Sequence, residues 1–146
     1  MTEKEKRSIC DTNRDSYKQW TSITLRYGDT DRQGHINNAV YCTLYESGRC
    51  DFLFNGKESA AGPNTSYVIA RIALDYLNEM HYPGVVEVGT KIISTGRSSF
   101  VVGQAIFLNG VCCSTAESVI VLLDESTGKP TPITPPLHSA LDRLKL

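Results

Sequence analysis

The segment from Arg26 to Arg49 constrains the fold most strongly, because a cluster of polar turn-forming residues leads without a break into a long helical pattern. Residues of one helical face recur there at the spacing i, i+3, i+4, i+7 and i+11, namely Tyr41, Leu44, Tyr45, Gly48 and Phe52. Asn37 or Asn38 is suited to cap this helix with a side-chain oxygen. The helix is predicted to run to about Phe54, where Asn55-Gly56 provides a stop signal.

The rest of the chain predicts β-strands joined by short turns. One strand is predicted before the helix, over 20–27, and four follow it, over 67–77, 85–95, 99–108 and 111–123. Asn109-Gly110 is the strongest turn signal, since a type I′ hairpin needs positive φ at both central residues. Four consecutive strands with short turns form an antiparallel sheet, on which the helix can bury its apolar face. The sequence therefore predicts an α+β fold.

The two ends of the chain show patterns that differ from this strand-rich region. Residues 1–18 are rich in charge and poor in apolar residues, which predicts a loose extension. Pro135-Pro136 opens a helical pattern over residues 135–144, which predicts a short amphipathic helix. A chain of 146 residues suits a single domain with its own hydrophobic core.

Composition excludes several classes of function. The net charge is −1, with 15 basic and 16 acidic side chains, so neither a nucleic-acid surface nor a membrane surface is predicted. No apolar run approaches the roughly 20 residues that span a bilayer, and the N-terminus lacks the apolar core of a signal peptide. The five cysteines show no C-x-x-C spacing, which predicts free thiols and no metal site. We expect a cytoplasmic protein.

The polar turn before the helix has the chemistry for attack on a carbonyl group. Asp31 and His35 lie within it, and a helix N-terminus with free N–H groups and a positive dipole end follows at once. A carboxylate can activate water, and the N–H groups can stabilise an oxyanion. The alternatives are structural: Asp31 as the acceptor of an Asx-turn, and His35 as a turn histidine bonded to a nearby carbonyl.

The motif around Asp31 resembles that of the hotdog-fold acyl-CoA thioesterases of the 4-hydroxybenzoyl-CoA thioesterase type. The matching residues are Asp31, Gly34, His35, Ile36, Asn37 and Asn38, followed by Tyr41, Tyr45 and Glu46. The His-x-Asn-Asn form is more similar to the fatty-acyl branch, which includes plant acyl-carrier-protein thioesterases. Gln33 stands where those enzymes have an Asn after the Asp, so only Asp31 and His35 match their catalytic residues. The resemblance implies an antiparallel sheet of about five strands wrapped around one long central helix, in a single hotdog domain.

The resemblance also implies roles for these residues. Asp31 would be the base or nucleophile, with His35 orienting water or donating to the thioester. Backbone N–H groups near Gly34, Asn37 and Asn38 would hold the oxyanion, and Gly34 would let the backbone approach closely. Glu46 matches a helix glutamate that is catalytic or supporting in some branches, although an ion pair with Arg49 would explain it equally simply.

Further residues match substrate-binding positions of the family. Tyr41 and Tyr45 are expected to lie in the core or in a pocket wall. Arg97, Ser98 and Ser99 resemble a turn that contacts coenzyme A, where a guanidinium group and hydroxyls suit phosphate oxygens. Asp29, His81 and His138 are expected to be structural or surface residues without a chemical role.

The expected reaction is hydrolysis of an acyl-CoA or acyl-carrier-protein thioester, with no cofactor beyond the coenzyme A of the substrate and no metal. The resemblance implies a homodimer or homotetramer with active sites at the subunit interface, and a bare sheet edge favours such pairing. Two rival hypotheses remain. One is a hotdog dehydratase or hydratase acting on a hydroxyacyl thioester, and the other is a non-catalytic module that binds acyl thioesters or acyl-carrier protein.

Overall fold

The computed structural model describes residues 2–3, 8–54 and 59–145. Its strands are β1 (Gln19–Thr24), β2 (Thr65–Tyr76), β3 (Val85–Thr95), β4 (Ser99–Leu108) and β5 (Val111–Asp124). They form one antiparallel sheet in the order β1-β3-β4-β5-β2. The α-helices are α1 (Val40–Leu53) and α2 (Pro135–Arg143). The strand before α1 thus pairs with β3, and β2 forms the opposite edge of the sheet.

Turn chemistry sets the register of the central strands. Asn109 and Gly110 join β4 to β5 with φ of 52° and 78°, which confirms the predicted turn with two positive φ angles. This turn connects β5 to β4, the most buried strand of the sheet. Six consecutive residues of β4, from Val102 to Phe107, are buried. Because successive side chains of a strand point to opposite faces, other parts of the chain must pack on both faces of the sheet at β4.

Helix α1 covers one face of the sheet with the predicted residues. It has 14 residues and lies against β1, β3 and β4. Its buried residues include all five of the predicted face: Tyr41, Leu44, Tyr45, Gly48 and Phe52. Arg49 is buried as well, where it donates a hydrogen bond to Oε1 of Gln104 (3.3 Å). The sequence pattern had suggested an ion pair of Arg49 with Glu46, and no such pair forms between these two described residues.

The N-terminal cap of α1 differs from the prediction. Ala39 occupies the cap position and makes no side-chain hydrogen bond to the first turn. Asn37 instead accepts from the backbone N–H of Ala39 (3.1 Å), and its own carbonyl accepts from Val40 (2.9 Å). The side chain of Asn38 is exposed. Asn37 therefore stabilises a turn that precedes the helix. The predicted stop at Asn55-Gly56 lies outside the described residues.

The N-terminal segment from Ser8 onward is not a loose extension. Tyr17 is buried against Trp20 and Phe107, with edge-on ring contacts, and Gly89 leaves room for it: a Cβ there would lie 2.8 Å from the Cβ of Tyr17. The backbone N–H of Ile9 donates to Oδ2 of Asp75 on β2 (2.6 Å). These residues cover the sheet face opposite α1. The sequence-based prediction failed because the anchoring aromatic residue stands alone among polar neighbours.

The C-terminal helix is confirmed. Thr134 caps α2 by accepting from the N–H of Leu137 (3.4 Å), and the two prolines occupy its first turn. Leu137 and Leu141 are fully buried in a core cluster with Phe52 and Phe100. The described helices include none long and apolar enough to cross a bilayer.

Candidate active site

A cavity of about 570 Å³ opens where the polar turn, the start of α1 and the end of β2 meet. Its lining consists of Asp31, Arg32, Gln33, His35, Ile36, Asn38, Tyr41, Tyr76, Leu77, Asn78 and Glu79. The turn from Asp31 to Asn38 thus forms one wall, and the residues that follow β2 form the other. The candidate residues Asp31, His35, Asn38 and Tyr41 are brought together here.

Asp31 is held by the backbone of its own turn. Its Oδ1 accepts from the N–H groups of Gln33 (2.9 Å) and His35 (3.3 Å), and its backbone N–H donates to the carbonyl of His35 (2.8 Å). The side chain is half-buried at the cavity wall, and no hydrogen bond from a described residue reaches Oδ2. Asp31 is therefore an Asx-turn residue that still presents one carboxylate oxygen for chemistry.

Gly34 is required by the backbone conformation of the turn. Its φ is +86°, in the region that only glycine adopts readily, whereas a Cβ built on it would meet nothing within 4 Å. The space beside Gly34 is therefore open, and approach of a substrate group to its backbone stays a prediction. The glycine turns the chain so that His35 faces the cavity and the carbonyl of Gly34 faces Nδ1 of His81 (3.2 Å).

Most of the expected oxyanion donors are already used inside the protein. The N–H of Gly34 donates to the Asp31 carbonyl, that of Ile36 to Met80, and that of Asn37 to Asp29. The N–H of Asn38 has no acceptor among the described residues, and Asn38 lines the cavity. The N–H of Asn38, just before the start of α1, is therefore available as a donor for a developing oxyanion.

Two tyrosines fix the far wall of the cavity. The hydroxyl of Tyr76 donates to the carbonyl of Asn38 (2.9 Å), and its ring packs edge-on against Tyr41 with centroids 5.0 Å apart. Burial raises the pKa of Tyr41 to about 12, so its hydroxyl remains protonated near neutral pH. Tyr45 is fully buried and donates to Oγ of Ser114 (2.6 Å), so it is a core residue and does not line the cavity.

Asp29 stabilises the polar turn through hydrogen bonds outside the cavity lining. Its carboxylate accepts from the backbone N–H of Arg26 (2.8 Å) and from the guanidinium group of Arg26 (2.8 Å). These hydrogen bonds lower the pKa of Asp29 below its usual range. Because the carbonyl of Asp29 also accepts from Asn37 (2.8 Å), this buried residue ties the strand end to the start of the helix.

The other candidate residues lie outside this cavity lining. Glu46 is exposed on α1. Arg97, Ser98 and Ser99 stand at the turn between β3 and β4, where carbonyl groups of the turn accept from Leu122 and Ile133. A role for these four residues requires that the substrate extends beyond the cavity or that a second copy of the chain approaches it.

The structure adds residues that the sequence did not indicate. Glu79 lines the cavity, and its Oε2 lies 3.2 Å from Nε2 of His35. His81, expected to be a surface residue without partners, packs edge-on against the His35 ring with centroids 5.1 Å apart. Glu79 and His81 are two residues apart in the loop after β2, and both side chains reach His35. The close spacing of Glu79 and His81 is the one sequence feature that could have indicated their shared position.

The family model of the thioesterase-like superfamily matches residues 25–141, which include the polar turn, α1, the strands β2 to β5 and most of α2. The chain belongs to the thioesterase-like superfamily. Its five-stranded antiparallel sheet is that of the hotdog thioesterases in this superfamily.

Solved structures of thioesterases resemble this superfamily member along most of its length. A predicted thioesterase from Bacillus stearothermophilus is 32% identical, with a TM-score of 0.77, over 87% of this chain and 96% of its own. A thioesterase from Thermus thermophilus, complexed with coenzyme A and Zn, is 25% identical, with a TM-score of 0.77, over 90% and 96%. A DHNA-CoA thioesterase from Staphylococcus aureus is 25% identical, with a TM-score of 0.74, over 85% and 88%.

Proposed function

We propose that this protein hydrolyses acyl-CoA thioesters with Asp31 as its base or nucleophile. The observation that carries the proposal is the position of the Asp31 carboxylate, which lines the cavity with Oδ1 fixed by two backbone N–H groups and Oδ2 available. A fixed carboxylate in a half-buried wall needs no reorganisation before it acts. The presence of His35 in the same cavity supports the fatty-acyl-like branch.

The reaction follows from these positions. Oδ2 of Asp31 takes a proton from a water molecule that attacks the thioester carbonyl, or it attacks that carbon itself to give an anhydride that water then opens. Negative charge moves to the carbonyl oxygen, where the N–H of Asn38 and the positive end of the α1 dipole stabilise it. The C–S bond then breaks, and the coenzyme A thiolate leaves and takes a proton. The products are a carboxylic acid and free coenzyme A.

His35 is placed to orient the water or the thioester group. Its backbone N–H is bound to Oδ1 of Asp31, and its Nε2 lies 3.2 Å from Glu79. The imidazole therefore has a defined direction beside the carboxylate. Glu46 and the turn of Arg97, Ser98 and Ser99 are proposed to act on parts of the substrate beyond the cavity, with the turn contacting coenzyme A phosphates.

Coenzyme A is favoured over acyl-carrier protein as the thiol carrier. The similar Thermus thermophilus thioesterase is complexed with coenzyme A, and the similar Staphylococcus aureus enzyme is a DHNA-CoA thioesterase. Acyl-carrier protein differs from coenzyme A in size, because it is a protein that would have to dock on the surface near the cavity. Parallel assays with the same acyl group on both carriers compare the two.

We propose a homodimer that pairs through β2 and brings the partner subunit to the active site. A dimer of dimers is the alternative assembly. β2 is an edge strand whose residues Val68, Ile69, Ala70 and Arg71 are exposed. An edge with exposed apolar residues favours pairing with another strand. Because Tyr76 at the end of β2 lines the cavity, the partner would lie beside the active site. Light scattering at micromolar concentration tests this assembly, and a monomer there would contradict it.

The activity is tested by thiol release from a panel of acyl-CoA esters that covers short, long and aromatic acyl groups. Mass spectrometry of the product separates the hypotheses. A free acid identifies hydrolysis, whereas an enoyl or hydroxyacyl thioester identifies the dehydratase or hydratase. Saturable binding of acyl-CoA without any product identifies a non-catalytic module. The thioesterase proposal predicts free acid and coenzyme A in equal amounts.

A further inference from the structure

Two imidazoles and one carboxylate converge at the mouth of the cavity. Oε2 of Glu79 lies 3.2 Å from Nε2 of His35 and 3.6 Å from Nε2 of His81. One donor atom from each of the three side chains lies within 4.8 Å of the other two. We propose that His35, Glu79 and His81 form a binding site for a divalent transition-metal ion of the Zn²⁺ type.

The distances match those between ligands of a single metal ion. Zinc–nitrogen and zinc–oxygen bonds of about 2.0–2.2 Å at tetrahedral angles put neighbouring ligand atoms about 3.4 Å apart. The separations of Glu79 from the two imidazoles, 3.2 and 3.6 Å, bracket that value. The donor nitrogens of the two imidazoles lie within 4.8 Å of each other, so a small tilt of either ring brings them to the same spacing.

The hydrogen bond of His81 supplies an independent argument. Nδ1 of His81 lies 3.2 Å from the carbonyl oxygen of Gly34. A carbonyl oxygen only accepts, so Nδ1 carries the proton and a neutral His81 presents a lone pair at Nε2. That lone pair faces the Glu79 carboxylate, with the space for a shared cation between the two groups. Metal-bound histidines show the same arrangement, with the second ring nitrogen donating to a backbone carbonyl.

The ligand set selects the type of ion. Two imidazole nitrogens with one carboxylate oxygen suit Zn²⁺, whereas Mg²⁺ and Ca²⁺ prefer oxygen ligands. Three protein ligands leave one position for water. Glu79 is 65% exposed, so exchange with solvent is rapid and we expect affinity in the micromolar range. The inference goes beyond the proposed hydrolysis, which needs no metal, and binding is measured without a substrate.

The test is titration of the chelator-treated protein of 146 residues with zinc alone, by calorimetry. Wild type is expected to bind one ion per chain. His81→Asn and Glu79→Gln are each expected to weaken binding by about tenfold or more, since each removes one of three ligands. His138→Asn is the matched control: His138 also pairs with a carboxylate, Asp142 (3.0 Å), but it has no third ligand in the described structure. Its affinity should equal that of wild type.

Cobalt spectra and circular dichroism complete the experiment. Substitution with Co²⁺ should give no thiolate charge-transfer band, which excludes binding by the exposed cysteines Cys42 and Cys50. Circular dichroism verifies that the variants are folded. The proposal is overturned if wild type binds no zinc at tens of micromolar, if either ligand variant binds as wild type does, if His138→Asn loses binding, or if the cobalt spectrum shows thiolate ligands.

Discussion

The hydroxyl group of Tyr76 donates a hydrogen bond to the backbone carbonyl of Asn38, at 2.9 Å. This bond joins the end of the edge strand β2 to the residue whose N–H we assign to the oxyanion. It spans 38 residues of sequence and crosses the cavity, so it holds the two walls at a fixed separation. The position of the proposed oxyanion donor therefore depends on a side chain of the sheet.

Tyr76→Phe removes this hydrogen bond and keeps the ring contact with Tyr41. We expect kcat/KM for thiol release to fall several-fold, because the donor at Asn38 is less well positioned, and the free energy of unfolding to fall by about 1 kcal/mol or less. Tyr82→Phe is the matched control, since the Tyr82 hydroxyl bonds to no described residue. Equal kinetics for Tyr76→Phe and wild type would show that the bond does not position the site.

Asp29→Asn tests whether the ionised carboxylate of Asp29 stabilises the fold, because that contribution depends on pH. The pKa of Asp29 is lowered by hydrogen bonds from Arg26, so the ionised form stabilises the fold. This contribution is complete above the unfolded-state pKa of about 3.9 and is lost as pH falls through the lower folded-state pKa. Asp29→Asn should therefore lower the free energy of unfolding by about 1–2 kcal/mol at neutral pH.

Urea unfolding of the Asp29 variant and wild type, at about pH 7 and about pH 3, measures this difference. The two proteins should differ at neutral pH and converge in acid. Asp15→Asn, on the exposed surface, serves as the control and should match wild type at both pH values. A difference between Asp29→Asn and wild type that stays constant with pH would rule out the carboxylate as its source.

Gly48→Ala tests the fit of α1 on the sheet. A Cβ at Gly48 would lie 2.8 Å from Nε2 of Gln104 and 2.8 Å from Cγ1 of Val88. Gln104 cannot move freely, because Nε2 donates to the Tyr45 carbonyl (3.0 Å) and to Oγ1 of Thr90 (3.1 Å). We expect a loss of about 1–3 kcal/mol in the free energy of unfolding.

The sign of the change in unfolding free energy shows whether α1 packs closely on the sheet at Gly48. Alanine in place of glycine inside a helix ordinarily stabilises by about 1 kcal/mol, so a stabilised Gly48→Ala would contradict the close packing. Gly28→Ala is the control, since a Cβ there meets nothing within 4 Å. Chemical denaturation of both variants beside wild type gives the comparison.

Local signals predicted much of the fold. The bounds of β3 and β4 agree with the predicted ranges, because Pro83-Gly84, Gly96 to Ser98 and Asn109-Gly110 mark the ends of both strands. The buried face of α1 follows directly from helical spacing. These features depend on neighbours in sequence, and hydrophobic period and turn chemistry describe such neighbours well.

Features that depend on distant contacts were missed. The start of α1 was assigned to an asparagine cap, but Asn37 is drawn into the turn by the carbonyl of Asp29. The ordering of the N-terminal segment depends on Tyr17 meeting Phe107, ninety residues away. The approach of Glu79 to His35 depends on the path of the chain after β2. Single-sequence patterns carry no information on such pairs.

The most direct test of the account is thiol release by Asp31→Asn beside a matched variant. Asp31 and Asp124 both accept a backbone N–H two residues ahead, from Gln33 (2.9 Å) and Ser126 (2.8 Å), but only Asp31 lines the cavity. Asparagine keeps either turn and removes the negative charge. Both variants should therefore remain folded by circular dichroism.

With the best acyl-CoA ester of the panel, Asp31→Asn should lose at least two to three orders of magnitude in kcat, as expected when a general base is removed. Asp124→Asn should keep the wild-type rate. A folded Asp31→Asn that releases coenzyme A as fast as wild type would contradict the account and leave Asp31 as an Asx-turn residue alone.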